Sequence, residues 1–230
     1  MNYKPILFNT EMVQAITEGR KTQTRRLVKQ PPIVGDILHD EKGWYYEDGT
    51  RNGHALIPPC NPGDILWVRE TWRPVEASSA GWCRIEYKAG GTEDFKKVIA
   101  DLHYQEPWHP SIHMPKEAAR IFLRVKDVRA ERLQDITEDD VCAEGAEPLI
   151  VCDHEHPLIG PDGEYYDMCY NGAHACSNCP IDRSYGEMFG EKVWNPTIKN
   201  ADLPVYGWDA NPWVWVIEFE SCEKPEGWCC

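Results

Sequence analysis

"RIFLRVKDVRAERL", residues 120 to 133, is the stretch from which the fold is read. Ile121, Leu123 and Val125 recur at a period of two among charged residues, the pattern of a strand with one face turned inward. Upstream, "NPGDILWVRETW" (61 to 72) begins with Pro62-Gly63, a pair suited to a type II turn. Ile65 and Trp67 then alternate with Leu66 and Val68, as in a strand buried on both sides, and residues 84 to 88 are expected as its partner. Downstream, Thr137 is placed to cap a short helix from Glu138 to Glu144, stopped by Gly145. "NPWVWVIEFE" (211 to 220) puts Trp213, Trp215, Ile217 and Phe219 on one face of a closing strand. Near the start, Asn9 or Thr10 can cap a helix bearing Met12, Val13 and Ile16 on one side, and Gly19 ends it. "DEKGWYYEDGTRNGH" (40 to 54) reads as a hairpin excursion, and "EPWHPSIHMP" (106 to 115) as an ordered loop.

Strands at irregular spacing with only short helices between them predict an α+β fold, a small mixed β-barrel with short flanking helices. No segment repeats at a fixed period, which excludes a solenoid or propeller. The length of 230 residues predicts one domain over 1–230, with a polar insertion at about 147–190 and a frayed tail after Glu220.

A hydrophobic content of 42% and ten Trp are enough for a core. The balance of 24 basic against 38 acidic residues, net charge -14, works against coating long DNA or RNA, because binding there depends on neutralising phosphates. No apolar run is long enough for a membrane span, and no basic start precedes an apolar stretch, so a soluble cytoplasmic protein is expected. Against this acidic background "GRKTQTRR" (19 to 26) concentrates four cations and two hydroxyls. It reads as one wall of a pocket for a small or short polar ligand.

"AITEGRKTQTRR", "PGDILWVRETW", "RLQDITEDDVCAEG" and "NPWVWVIEFE" together resemble the ASCH-domain proteins of the PUA-like superfamily, specifically the larger versions found in phages and prophages. The resemblance touches both ends of the chain and its middle. It implies a compact barrel with a cleft beside it, and chemistry on RNA or nucleosides. The small members of the family are amidohydrolases that remove acyl groups from N(4)-acylated cytidine, and they lack the long insertions of this chain. Their catalytic Lys and Thr, three apart in a G-x-K-T-x-T segment, fall on Lys21 and Thr24, and their Glu falls on Glu144. A phage-encoded chain would act in the host cytoplasm.

Those residue types suit amide hydrolysis, which needs a nucleophile, a base and a proton for the leaving amine. A threonine hydroxyl is inert at neutral pH. Lys21 could deprotonate it if burial, or the neighbouring Arg20, Arg25 and Arg26, lowered its own pKa. Residues three apart in a strand point to opposite faces, so Lys21 and Thr24 meet only if the chain bends. Glu144 is expected in the last helical turn, where the dipole disfavours a carboxylate and suits it to shuttling protons. Arg25 and Arg26 could hold a phosphate or a base carbonyl; alternatively one points to solvent and the other pairs with an acid such as Glu70. Arg69 and Glu70 could line the same cleft or form a structural ion pair. Trp67 and Trp72 could stack on a base or belong to the core.

"CDHEH" (152 to 156) and "CYNGAHACSNC" (169 to 179) place four Cys and three His within 28 residues. Cys176 and Cys179 have zinc-knuckle spacing, and Cys152 and Cys169, with His174 as an alternative, can complete a tetrahedral set. A structural zinc would order an insertion with little to bury. Free thiols or an oxidised disulfide are the other readings, and no organic cofactor is expected. The leading functional expectation is a hydrolase of an N(4)-acylated cytidine or related nucleoside. The alternatives are a module binding RNA or modified nucleotides, with or without ribonuclease activity, and a phage protein that contacts a host factor through its insertion.

Overall fold

The protein is described from a computed structural model, over residues 1–28, 35–47, 53–78, 82–95, 107–146, 158–159, 165–166 and 185–228. It divides into two compact units: Met1–Glu131 with Ala143–Gly145 and Trp213–Cys230, and Arg132–Cys142 with Ala146–Pro212.

The first unit begins with β1, Tyr3–Leu7. The Asn9 side chain accepts the Met12 N–H at 2.8 Å and so starts helix α1, Thr10–Thr17, which buries Val13, Ala15 and Ile16. Gly19, at φ 77°, ends the helix in the left-handed region that glycine enters freely. Strand β2, Gln23–Leu27, follows. The polar excursion folds as an antiparallel sheet of β3, Ile37–Asp40, β4, Gly43–Glu47, and β5, Gly53–Leu56. Pro62-Gly63 makes the expected turn, with Gly63 at φ 86° and the Asp64 N–H bonded to Asn61 O at 3.0 Å. It leads into β6, Ile65–Arg69. Next come β7, Trp72–Ser78, β8, Trp82–Tyr87, and β9, Thr92–Phe95, a second three-stranded sheet. The opening stretch forms β10, Phe122–Arg132, which runs into the second unit at its last residue.

Helix α2, Glu138–Ala143, starts where Thr137 Oγ1 accepts the Asp140 N–H at 3.2 Å. The second unit also contains β11, Leu158–Ile159, paired with β12, Tyr165–Tyr166, then α3, Tyr185–Phe189, and α4, Leu203–Tyr206. There the Trp208 indole lies so close on Gly190 that a Cβ would sit 2.3 Å from it. Strand β13, Trp213–Cys222, returns to the first unit.

The central sheet has the order β1-β6-β10-β13-β2. β1 runs parallel to β6; β10 on β6 and β2 on β13 are antiparallel. The chain is thus α+β and rich in strands, but the sheet does not close into a barrel: β1 and β2 stand at its two ends with no ladder between them among the described residues. Residues 84 to 88 do not partner β6. Strand β8 pairs with its sequence neighbours β7 and β9, while β6 is taken by β1 and β10.

Register shows what the open edges present. Ile65 N–H bonds to Asn2 O and Phe8 N–H to Arg69 O, so Asn2, Lys4, Ile6 and Phe8 turn their peptide groups to β6. Tyr3, Pro5 and Leu7 turn theirs outward, and Pro5, lacking an N–H, occupies a position an edge strand tolerates. On β2, Val28 N–H bonds to Trp213 O and Phe219 N–H to Thr22 O. The peptide groups of Thr22, Thr24, Arg26 and Val28 therefore face β13, and those of Gln23, Arg25 and Leu27 face the open edge.

Double-sided burial divides the apolar residues between two cores. Leu66, Val68, Leu123, Val125, Trp215, Ile217 and Phe219 join one with Phe8 and Ile16. Ile65, Trp67, Phe122, Trp72, Ile85 and Tyr87 join the other. Over residues 221–228 the tail is not frayed as expected. Trp228 is buried in the second core against Phe122 and Tyr3, because an indole gains more from burial than a short tail loses in freedom.

Asp64 anchors the N-terminus. Its carboxylate accepts the Asn2 N–H at 2.8 Å and the Asn61 N–H at 3.1 Å, with the Lys4 ammonium 3.8 Å away. Burial raises the acid's pKa, but these hydrogen bonds and Lys4 outweigh it and hold the pKa below the usual carboxylate value. A depressed folded pKa stabilises the protein above the unfolded value near ~4, and that contribution disappears as pH falls through the folded pKa. Asp64→Ala is expected to cost roughly 2 kcal/mol at neutral pH and to lose less stability than the parent on acidification below about pH 4. Urea titrations across pH check both; parallel acid profiles would remove Asp64 as the cause.

Candidate functional site

The site is assembled where helix α1 meets the segment after α2. The N–H groups of Arg20 and Lys21 bond back to Ala15 O at 2.8 and 3.0 Å. Thr22 donates its N–H to Ala143 O at 2.8 Å, and its carbonyl accepts from Phe219 at 2.9 Å. The chain is thereby clamped between residues 143–145 and β13, and Lys21 faces Glu144 in an antiparallel bridge. Lys21 thus precedes β2 and is paired with a different segment, and among the described residues no hydrogen bond joins it to Thr24. Glu144 lies one residue past α2, not in its last turn.

Lys21 Nζ donates to Glu144 Oε2 at 2.7 Å and to Glu144 O at 2.8 Å. Arg25 Nη1 donates to Glu144 Oε1 at 3.2 Å, and Arg25 Nη2 stands 3.5 Å from Glu131 Oε2. Arg129 bonds Glu131 and Glu218, extending the alternation of charges towards solvent. Lys21 is 2% exposed, Arg25 3% and Glu144 5%, so the inner members are withdrawn from water. Burial lowers the Lys21 pKa from its ordinary value; Glu144 opposes this, and Arg26 and Arg25 reinforce it. A lysine in this state gives up its proton more readily than a solvated one.

Thr24 lies opposite Ile217 in the β2–β13 ladder, and Arg26 opposite Trp215. Directly opposed residues share a face. Ile217, Trp215 and Arg26 line a cavity of about 510 Å³, so Thr24 points to the cavity side. Its hydroxyl is fully buried and accepts a hydrogen bond from Arg26 Nη1 at 2.8 Å. The same guanidinium donates to Arg25 O at 2.9 Å and, across the seam, to Leu7 O at 2.9 Å, with Phe8 beneath it. Arg26 therefore staples β2 to β1 and covers Thr24. The hydroxyl is bonded by Arg26, not by Lys21. A cationic donor on a hydroxyl oxygen favours negative charge there.

The structure does not bring Trp67, Arg69 and Glu70 to this site. Alternation along β6 sends Trp67 to the second core, where its ring meets Trp228 and carries the Arg69 guanidinium. Arg69 donates to the carbonyls of Met114 and Ile112. Glu70 forms a two-pronged pair with Arg120 at 2.8 Å for each bond, beside Tyr87. Neither Arg25 nor Arg26 pairs with it. Trp72 is core, stacked on His109. The ligand candidates Cys152, Cys169, Cys176, Cys179 and His174 lie outside the described residues, among which no group of His, Cys, Asp and Glu is placed to hold a metal ion. Glu131, Arg129 and Glu218 were not singled out from the sequence. Their only signal is alternating charge on strands, which reads equally as a solvent-facing surface.

Compared with protein-family models, with curated proteins and with solved structures, the chain matches none. No helix among the described residues is long and apolar enough to cross a membrane.

Proposed function

We propose that this chain is an ASCH-domain protein of the PUA-like superfamily that hydrolyses an N(4)-acylated cytidine or a related modified nucleoside. The observation that carries the reading is the contact between Lys21 and Glu144. Residues 123 positions apart meet at 2.7 Å in a nearly water-free setting, three residues from a hydroxyl on the cavity side. In the reaction, Arg26 swings from Thr24 to admit the acyl group. With Lys21 first deprotonated to its neutral amine by solvent, Thr24 Oγ1 attacks the carbonyl carbon and passes its proton to that amine. The proton returns to the leaving amine as the C–N bond breaks, and water then releases the acyl group from Thr24. Glu144 holds Lys21 in place and balances its charge.

The complete burial of Thr24 under Arg26 favours a second reading, a module that binds a modified nucleotide or short RNA without chemistry. One experiment separates them. The protein and its Lys21→Met and Thr24→Val variants are incubated with a panel of N(4)-acylcytidines, and free acid is quantified. Turnover in the parent, reduced at least about a hundredfold in both variants, is the expected result. Turnover equal in all three removes the catalytic reading. If none of the three turns over, salt-sensitive RNA binding lost on Arg26→Ala would establish the second.

A further inference from the structure

We infer that the cavity between β1 and β2 is a site for a flat heterocycle, whose polar edge is read by the main chain of the two open strand edges. The inference deepens the nucleoside reading and takes from it the identity of the ring as a pyrimidine.

The volume, about 510 Å³, falls in the range of small-molecule pockets. Its walls are apolar: Ile6, Val28, Leu66, Trp215 and Ile217 are all core residues. Pro5, Leu7 and Leu27 line it as well, although strand alternation puts their side chains on the other face from Ile6 and Arg26. Pro5 and Leu7 are exposed, while Ile6 and Phe8 between and beside them are buried. What these three residues present to the cavity is their backbone.

The ladder registers make this specific. Leu7 and Leu27 turn their N–H groups, and Pro5 and Leu27 their carbonyls, to the open edges, and no hydrogen bond engages them among the described residues. The Leu7 carbonyl alone is taken, by Arg26. Donors and acceptors therefore face one another across an apolar slot. A purely aliphatic ligand would leave them unpaired at a cost. The two cations on the wall are already engaged, Lys4 with Pro59 O at 2.8 Å and Asp64 at 3.8 Å, and Arg26 in three hydrogen bonds, which favours an uncharged ligand over a phosphate. The Cys60 thiol on the wall stays neutral, its pKa pushed up to about 11 by burial. An uncharged ring with apolar faces and an edge of mixed donors and acceptors fits this slot. A pyrimidine is such a ring.

Unmodified cytidine tests the inference apart from turnover. Titrated into 15N-labelled protein, it is expected to shift the Leu7 and Leu27 amide signals saturably, while ribose alone leaves them in place. Leu27→Pro removes an outward N–H without touching the β13 ladder, and should weaken cytidine binding about tenfold. Val28→Phe fills the slot with every backbone group kept, and should weaken it at least as much, which guards against a proline that distorts β2. Still Leu7 and Leu27 signals at saturating cytidine, or parental affinity in both variants, would overturn the inference. Turnover of acylcytidines undiminished in both variants would also overturn it and leave the catalytic reading standing. Cytidine held at the seam with no acylcytidine hydrolysed would sink the catalytic reading alone.

Discussion

Glu144→Ala is expected to lower the unfolding free energy by about 3 kcal/mol, at the lower end of the ~3–5 kcal/mol range for breaking a buried ion pair. The loss comes from what remains. The carboxylate bonds Lys21 at 2.7 Å and Arg25 at 3.2 Å, with all three residues at 5% exposure or less. Without it, an ammonium and a guanidinium are left facing one another away from water. Lys21 can relieve part of this by shedding its proton, since burial has already lowered its pKa, and Arg25 keeps Glu131. These two escapes place the effect at the low end. Glu144→Leu should lose a similar amount, and adding Lys21→Met to it should restore much of that loss, because apolar groups of similar size need no counter-charge. Thermal and urea unfolding of the single and double variants measure the cycle. A single-variant loss under about 1 kcal/mol would mean that the pair is solvated in solution, as surface pairs are.

Gly145→Ala should be comparably damaging, by roughly 3 kcal/mol. Gly145 sits at φ 77°, where a side chain costs about 1–2 kcal/mol. An added Cβ would stand 2.7 Å from Ala15 Cβ and 2.8 Å from Lys21 Cβ, and overpacking of that kind costs a further ~1–3 kcal/mol. The clash pushes directly on the lysine, so the proposed hydrolysis should fall with stability. Ala15→Gly in the same chain removes one of the two clashing atoms and should recover part of the stability but not the φ penalty. Denaturant midpoints of the two variants test this, and a Gly145→Ala protein as stable as its parent would show that this turn is built differently.

Local chemistry made much of the fold readable. Asn9 and Thr137 cap the helices they precede, Pro62-Gly63 turns as its residue types dictate, and the alternations in β6, β10 and β13 point where the cores are. Such signals act over a few residues. The partner of β6 was misread because nothing in an apolar strand says which of several others it will meet. Trp228 was missed because a single indole in a polar tail has no period. Lys21 and Glu144 were singled out only through the family resemblance. Within their own segments, a lysine among arginines and a glutamate after an acidic helix look like surface residues, and only folding shows that they are not.

Pro5 has a consequence for how the protein behaves when concentrated. An unpaired strand at the rim of a sheet is a template on which a second copy can dock and propagate into fibres. In β1 one of the three rim-facing residues has no hydrogen to offer, and the carbonyl of another is occupied by Arg26. A neighbouring chain would find the row interrupted at its middle. The same rim is thereby a poor seat for self-assembly.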